Sequence, residues 1–555
     1  MVETIQPIKR KELFGHPVGL YILFFTEMWE RFSYYGMRGL LVLYIATSAT
    51  ANDPGLGWTS KDALWLYGWY TMLVYVMSIP GGIIADKWLG QKKTVMLGGF
   101  LLVAGHATLA IPNETAFFTG LVLIILGVGG LKPNISTMVG GLYRQGDIRR
   151  DKGFTVFYIG INIGAFLAGI IVGIVAANWG WHYGFGLAGI GMLFGQIVFI
   201  SGQKHLIGVG DFIGGNKTLV IDKKAAKQPL TKIEKDRVIV LLISFLIVIV
   251  FWGAFEQAGG LLNLYTDVKI NRVTGFGGPN WLQEIPAAVF QSLNSGYIII
   301  FGTLVAGFWA WWRKRGHEAS SIFKMALGTI IMGLGFIFMM FASKEASSET
   351  FGKAAMFWIF LAYFFHTIGE LSSSPVSLSF ITKLAPAKYA SIMMGIYFAC
   401  TGLGNKLAGN IGENSQLEPF KGSLTASKDM VYSLTDKKEF ERKVDGKKTK
   451  YTDYAINQDK NFEIKATVYP VGDQVVFEDF ENNKPLNDLF NLNDEDRTKL
   501  LKNLEELDVS KQHPYHARLH FEKDEEMAKI EANKGDGKDY GVSFVLSEEQ
   551  NSKEY

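Results

Sequence analysis

The chain has 555 residues, 48% of them hydrophobic, and a net charge of only +3, with a mean hydropathy of +0.16. So small a charge leaves no nucleic-acid footprint. The single cysteine, Cys400, excludes a disulfide within the chain and, set in an apolar run, reads as packing rather than redox chemistry. These averages conceal a break: from about 18 to 412 apolar runs of bilayer-crossing length recur, whereas 413–555 is polar and charged throughout. The 62 glycines fit close helix packing in lipid.

In chain order, the basic "KRK" at 9–11 precedes a run too long for a cleavable signal peptide, so none is expected. Eleven spans are predicted near 18–48, 63–86, 94–111, 116–142, 153–178, 182–203, 238–266, 284–312, 321–342, 354–382 and 388–412. Basic residues orient them. Lys87, Lys92, Lys93, Arg144, Arg149, Arg150, Lys152, the linker 204–237, "RKR" at 313–315, Lys383 and Lys388 fall on the N-terminal side of the membrane, predicted to be the cytoplasm. The opposite loops offer only Lys61, Lys269, Arg272, Lys344 and Lys353. The expected organisation is a six-helix bundle over 1–203, a cytoplasmic linker over 204–237, a second bundle over 238–412 with five visible spans, and a small periplasmic α+β domain over 413–555. A twelfth span is expected to lie beyond this sequence or to be missing from the protein.

The first span, "FFTEMWERFSYYGMRG" at 24–39, raises the central question, because it carries Glu27, Glu30, Arg31 and Arg38. A bilayer centre penalises each such charge by a few kcal/mol or more. Glu27, Arg31, Tyr34 and Arg38 follow one another at one-turn steps, so a single face carries acid, base, phenol and base. Such a face is expected to line a wet interior. Further spans add Lys132, Glu256 and Glu370, with Tyr70 and the amides Asn162, Gln291 and Asn294. Any one of these could be half of an ion pair that only locks packing. As a set they predict a dipolar cavity suited to a zwitterion, with a carboxylate near Arg38 and Lys132 and an amine near Glu370, Asn162 and Asn294. The remaining carboxylates are candidate proton sites, since pairing with a cation and holding a proton are alternatives.

Several motifs carry a resemblance. "EMWERFSYYGMR" at 27–38 resembles the ExxERFxYYG signature of the proton-dependent oligopeptide transporter family, POT/PTR, and "FTVFYIGINIGAFLAG" at 154–169 is similar to its second signature. "GGLKPN" at 129–134, "FWGAFEQAG" at 251–259, "QSLNSGYI" at 291–298 and "GELSSSPVSLS" at 369–379 look like further family segments, and "GGIIADKWLGQKKT" at 81–94 resembles a major facilitator loop. Phe25 and Glu30 in the first span echo Phe251 and Glu256 in the seventh, as parallel repeats would. The resemblance implies an all-α major facilitator fold of two six-helix bundles and a non-enzymatic symporter that imports di- and tripeptides with protons, without other cofactor. Carried over, Glu27, Glu30 and Arg31 match the proton-coupling motif. Arg38 and Lys132 match carboxylate-binding or gating cations, and Glu256 is their partner across the halves. Glu370, Asn162 and Asn294 match the groups around the peptide amine, and Tyr34, Tyr35 and Tyr70 match peptide contacts. Three departures stand out: Gly68 where animal members carry a histidine, a linker too polar for the two extra helices of many bacterial members, and "NSG" at 294–296 where Asn-Pro is more usual.

"GFGLAG" at 184–189 fits G-x-G-x-x-G but lies inside a span with no preceding strand, so helix packing is the better reading. His513, His516 and His520 sit in an alternating strand-like stretch rather than a metal-site spacing. In the tail, 466–480 and 517–523 read as strands and 494–507 as an amphipathic helix, with no legible partner. The glycosylation sequon "NET" at 113–115 has no counterpart in the tail, which leans towards the inner membrane of a bacterium. A monomer in the lipid bilayer is expected. The rival readings are another solute, such as nitrate or an amino-acid derivative, and a non-transporting receptor or scaffold whose tail is the working part.

Overall fold

The computed structural model describes residues 11–47, 53–144, 147, 149–211, 230–317, 319–348, 353–386 and 390–416, and in the tail 420–426, 439–444, 447–452, 462–471, 474–479, 486, 494–506, 515–523 and 540–547. Lys9, Arg10, Lys388, His513 and residues 212–229 of the linker lie outside them. The chain divides into two units, Met1–Ser415 and Gln416–Tyr555.

The first unit is helical. Its α-helices of seven residues or more are α1 (Val18–Ala46), α2 (Ser60–Val76), α3 (Ser78–Ile84), α4 (Gln91–Leu109), α5 (Glu114–Gly141), α6 (Arg149–Trp179), α7 (Trp181–Gly202), α8 (Lys232–Phe255), α9 (Leu261–Lys269), α10 (Ser292–Lys314), α11 (Ser321–Ser348), α12 (Met356–Leu384) and α13 (Ala390–Ser415). The short strands β1 (Glu12–Leu13), β2 (His16–Pro17), β3 (Ile270–Asn271) and β4 (Ala354–Ala355) pair two by two in the connections. Among the described residues, seven helical segments are long and apolar enough to cross a membrane by length and composition. Helix α1 is not one of them: any 18-residue stretch of it holds three or more of its four charges. It is instead enclosed by protein, packed between α6 and α7 with Glu27, Glu30, Arg31 and Arg38 all buried.

The helix starts follow from their caps. The Thr59 side chain accepts from the Asp62 N–H, Asn113 accepts from Ala116 N–H, and Thr231 with Glu234 forms a reciprocal capping box at α8. One expected span is broken. The run 238–266 leaves the α-helix at Phe255, makes a 3₁₀ turn over Glu256–Ala258, and restarts at Leu261. The "EQAGG" sequence fits this, since each of its two adjacent glycines weakens a helix by about 1 kcal/mol relative to alanine. The break sets Glu256 at a helix end. The eighth span likewise begins later than expected, at Ser292, after a 3₁₀ turn over Ala287–Gln291. The eleventh long helix runs on to Ser415.

Glycine permits the tightest crossings. A Cβ on Gly98 would stand 2.6 Å from the Gly127 carbonyl oxygen, and one on Gly127 2.8 Å from that of Gly98, so α4 and α5 touch backbone to backbone. A Cβ on Gly68 would stand 2.9 Å from the Gly409 Cα. A side chain as large as histidine therefore has no room at Gly68 while α2 and α13 are packed this way.

In the second unit, β5 (Phe420–Ala426), β8 (Phe462–Val471), β9 (Gln474–Asp479), β10 (Tyr515–Lys523) and β11 (Tyr540–Ser547) form an antiparallel sheet in the order β5-β11-β10-β8-β9. A separate hairpin joins β6 (Glu439–Val444) to β7 (Lys447–Thr452). Helix α14 (Asp494–Glu506) buries Leu500, and the sheet buries Ala466, Val468, Val475, Phe477 and Leu519. Among the described residues, no group of three or more His, Cys, Asp or Glu is placed to hold a metal ion.

Gly127→Val is expected to lower stability by about 1–3 kcal/mol through overpacking. The measurement is the thermal midpoint of purified protein in detergent, with Leu126→Val, on an exposed position of the same helix, as the control.

Candidate functional site

The site begins on α1. Arg31 lies between two carboxylates, with Nε 3.0 Å from Glu27 Oε1 and 2.5 Å from Glu30 Oε2. Its guanidinium also sits 5.6 Å from the centre of the Tyr34 ring. One cation is thus shared by two buried acids. A proton on either carboxyl leaves Arg31 to the other, so protonation and ion pairing are exchangeable here.

Two turns on, Arg38 leaves its own half of the molecule. Its Nη1 lies 3.1 Å from Glu256 Oε1 and 3.2 Å from Oε2, and the Tyr67 hydroxyl donates to Glu256 Oε1 at 2.6 Å. The Tyr35 ring backs Arg38, its centre 4.9 Å from the guanidinium. Glu256 stands at the helix break, where the α-helix gives way to the 3₁₀ turn. Other bonds between the halves gather at the same end: Asn263 Nδ2 donates to the Gly39 carbonyl at 2.9 Å, and Gly68 packs on Gly409. The Arg38–Glu256 pair is therefore part of a closed end.

Beneath that end lies a cavity of about 220 Å³. This is below the roughly 300–1,000 Å³ of sites for drug-sized ligands, and so suits a small solute. The first half contributes Glu27, Arg31, Tyr35, Arg38, Tyr75, Lys132, Tyr158 and Asn162 to its wall. The second half contributes Trp252, Gln291, Asn294, Tyr363 and Glu370. Lys132 Nζ sits 3.6 Å from the centre of the Tyr75 ring, which holds the ammonium by a cation–π contact. Opposite, Asn294 Nδ2 donates to Glu370 Oε2 at 2.8 Å and to Thr367 Oγ1 at 3.2 Å. Asn162 Nδ2 donates to the Tyr158 carbonyl at 2.9 Å. The wall thus carries cations from one half and a carboxylate with an amide from the other.

Four candidates stand off this wall. Glu30 is wholly buried behind Arg31, Tyr34 is buried beside it, and Glu256 is engaged by Arg38 and Tyr67. Tyr70 is also buried, and its hydroxyl has no hydrogen-bond partner among the described residues. The tyrosine that α2 presents to the cavity is Tyr75, not Tyr70. The sequence did not separate them, because this helix is apolar on most sides and its period does not mark a face. Tyr67, Tyr158 and Tyr363 were missed for the same reason. Gln291 was visible as a buried amide, and here it donates to the Ala258 carbonyl and to the Tyr363 hydroxyl.

With this geometry in view, the comparisons decide the family. Residues 92–216 and 213–421 match the family model described as the POT family. The chain belongs to the POT family. It is 34% identical over 461 residues to the peptide transporter YePEPT of Yersinia enterocolitica, covering 72% of this chain and 88% of that one. It is likewise 34% identical to a di-/tripeptide transporter of Lactococcus lactis, over 70% of this chain and 87% of that one. Among solved structures, it is similar to a peptide transporter POT in complex with alafosfalin, with TM-score 0.66, 35% identity, and coverage of 73% of this chain and 90% of that one. A POT family transporter in complex with 5-aminolevulinic acid matches with TM-score 0.67 and 30% identity, over 74% and 93%. The first unit therefore has the major facilitator fold of a multi-pass membrane transporter, and the POT family is one of transporters, not enzymes.

Removing one partner of a buried pair costs about 3–5 kcal/mol, because the other charge is left uncompensated. Glu256→Gln is thus expected to lower the thermal midpoint sharply. The double variant Arg38→Gln/Glu256→Gln should regain part of the loss, measured on purified protein in detergent.

Proposed function

We propose that this chain is a proton-coupled symporter that brings di- and tripeptides into the cell by alternating access. The observation that carries the reading is the polarity of the cavity wall. Arg38 and Lys132 face it from one half, and the Asn294–Glu370 pair faces it from the other. A peptide backbone has a carboxylate at one end and an ammonium at the other, so it answers both. The carboxylate is taken by Arg38 and Lys132, the amine by Glu370 with Asn162 and Asn294, and Tyr35 and Tyr75 contact the chain between them. Tyr34 and Tyr70 brace the wall from behind. The named substrates of the relatives support a peptide. The 5-aminolevulinic acid in one similar structure is itself an amine with a carboxylate, which supports the same pairing. An anion such as nitrate would leave Glu370 and Asn294 without a role.

Glu27, Glu30 and Arg31 form the proton relay, and Arg38–Glu256 is the lock on the closed end. A proton entering the Arg31 cluster changes which carboxylate Arg31 holds, and Arg31 lies on the same helix as the lock. The distribution of basic loops supports an N-terminus in the cytoplasm of a bacterium, with the closed end outside and 413–555 in the periplasm. The protein works as a monomer in the lipid bilayer, and its substrate path needs no cofactor besides the proton.

The full chain in proteoliposomes, given labelled dialanine and an inward proton gradient, is the test. Glu30→Gln is expected to lose gradient-driven accumulation by about 100-fold while peptide counterflow persists. No dialanine movement in folded wild-type protein would reject the peptide reading. Glu370→Gln weakens a charged hydrogen bond worth about 1.5–3 kcal/mol, so KM should rise by roughly 10–100-fold. An unchanged KM would remove Glu370 from the amine site.

A further inference from the structure

Away from the cavity, one end of the second half gathers cations that the transport reading does not use. Helix α10 ends in "FWAWWRKR" at 308–315, which places Arg313, Lys314 and Arg315 directly after four aromatic residues. Lys324 begins the second turn of α11, and Lys383 stands in the last turn of α12. Met325, next to Lys324, and Ile381, two residues before Lys383, belong to one buried cluster, and Lys324 rests on the Trp309 ring of α10, so the ends of three helices carry their cations at one place. None of these five side chains has an acidic partner among the described residues. Glu318, in the loop between α10 and α11, lies outside them.

Like charges gathered at three helix ends favour an anion between them. The aromatic residues indicate where that anion is. Phe308 and Trp311 are exposed, as expected of rings in a bilayer interface. Lys324 Nζ lies 4.8 Å from the centre of the Trp309 ring and the Arg315 guanidinium 4.4 Å from that of Trp311. The indole N–H of Trp309 has no acceptor among the described residues. Cations resting on interfacial tryptophans, between the ends of packed helices, sit at the depth of lipid phosphates.

We infer that Arg313, Lys324 and Lys383 form a binding site for the phosphate of an anionic phospholipid. The headgroup bridges α10, α11 and α12. Two of these helices carry the amine end of the cavity, Asn294 on α10 and Glu370 on α12, so the lipid braces the frame that holds that end.

The test is native mass spectrometry of the full chain, delipidated in detergent and titrated with dioleoyl phosphatidylglycerol or dioleoyl phosphatidylcholine. Binding of the first phosphatidylglycerol is expected to be about tenfold tighter than that of phosphatidylcholine. Lys324→Gln/Lys383→Gln should abolish the preference without changing the thermal midpoint, and Lys324→Arg/Lys383→Arg should keep it. Equal binding of the two lipids, or a preference that survives the glutamine pair, would overturn the assignment. Displacement of phosphatidylglycerol by glycerol 3-phosphate would also overturn it, by showing that the cations take a soluble phosphate instead. The readout is lipid binding, so it stands or falls separately from peptide transport.

Discussion

A charge that enters hydrocarbon must be enclosed and matched, and that constraint organises the first unit. Helix α1 holds four charges that lipid would not accept, so it cannot lie at the periphery. It is packed between α6 and α7, and its polar face is turned on partners: Arg31 shared by Glu27 and Glu30, Arg38 held by Glu256. The requirement to match Arg38 reaches across the molecule. It recruits a carboxylate from the second half, and so adds a buried ion pair to the contacts that join the halves at that end. A transporter that alternates must break and remake such a tie.

Much of this was legible in the sequence because a charge or an amide inside an apolar run has few explanations. Glu27, Arg31, Arg38, Lys132, Asn162, Asn294 and Glu370 were all marked by that anomaly, and all seven line one cavity. The aromatic wall was less legible. A tyrosine in a membrane helix is amphipathic, at home in the core, at the interface or on a cavity, and in α2 the surrounding residues do not distinguish Tyr70 from Tyr75. The break after Phe255 was written in "EQAGG", yet the hydropathy of 238–266 concealed it. Local backbone preference there overrides the apolar pattern, and the break falls directly after the helix end that carries Glu256.

The second unit follows different rules. Its sheet is built from alternating stretches such as Phe462–Val471, whose Ala466 and Val468 are buried, and its helix has one apolar face. The strands β8, β9 and β10 coincide with stretches that alternate in the sequence. Strand β5 does not alternate cleanly, and strand β11, "YGVSFVLS", is short enough to pass for any apolar fragment. What the unit recognises is a matter of surface chemistry, which neither alternation nor strand order encodes.

The central claim is that the cavity reads both ends of a zwitterion at once. The most direct measurement is competition against labelled dialanine counterflow by three ligands: dialanine, its N-acetyl form, and its C-terminal amide. If Arg38 with Lys132 and Glu370 with Asn294 each hold one end, either cap should weaken competition by at least tenfold, and N-acetyl-dialanine should regain ground relative to dialanine in the Glu370→Gln variant. If the capped peptides compete as well as dialanine, the two ends are not what the site recognises, and the dipolar reading of the cavity is wrong.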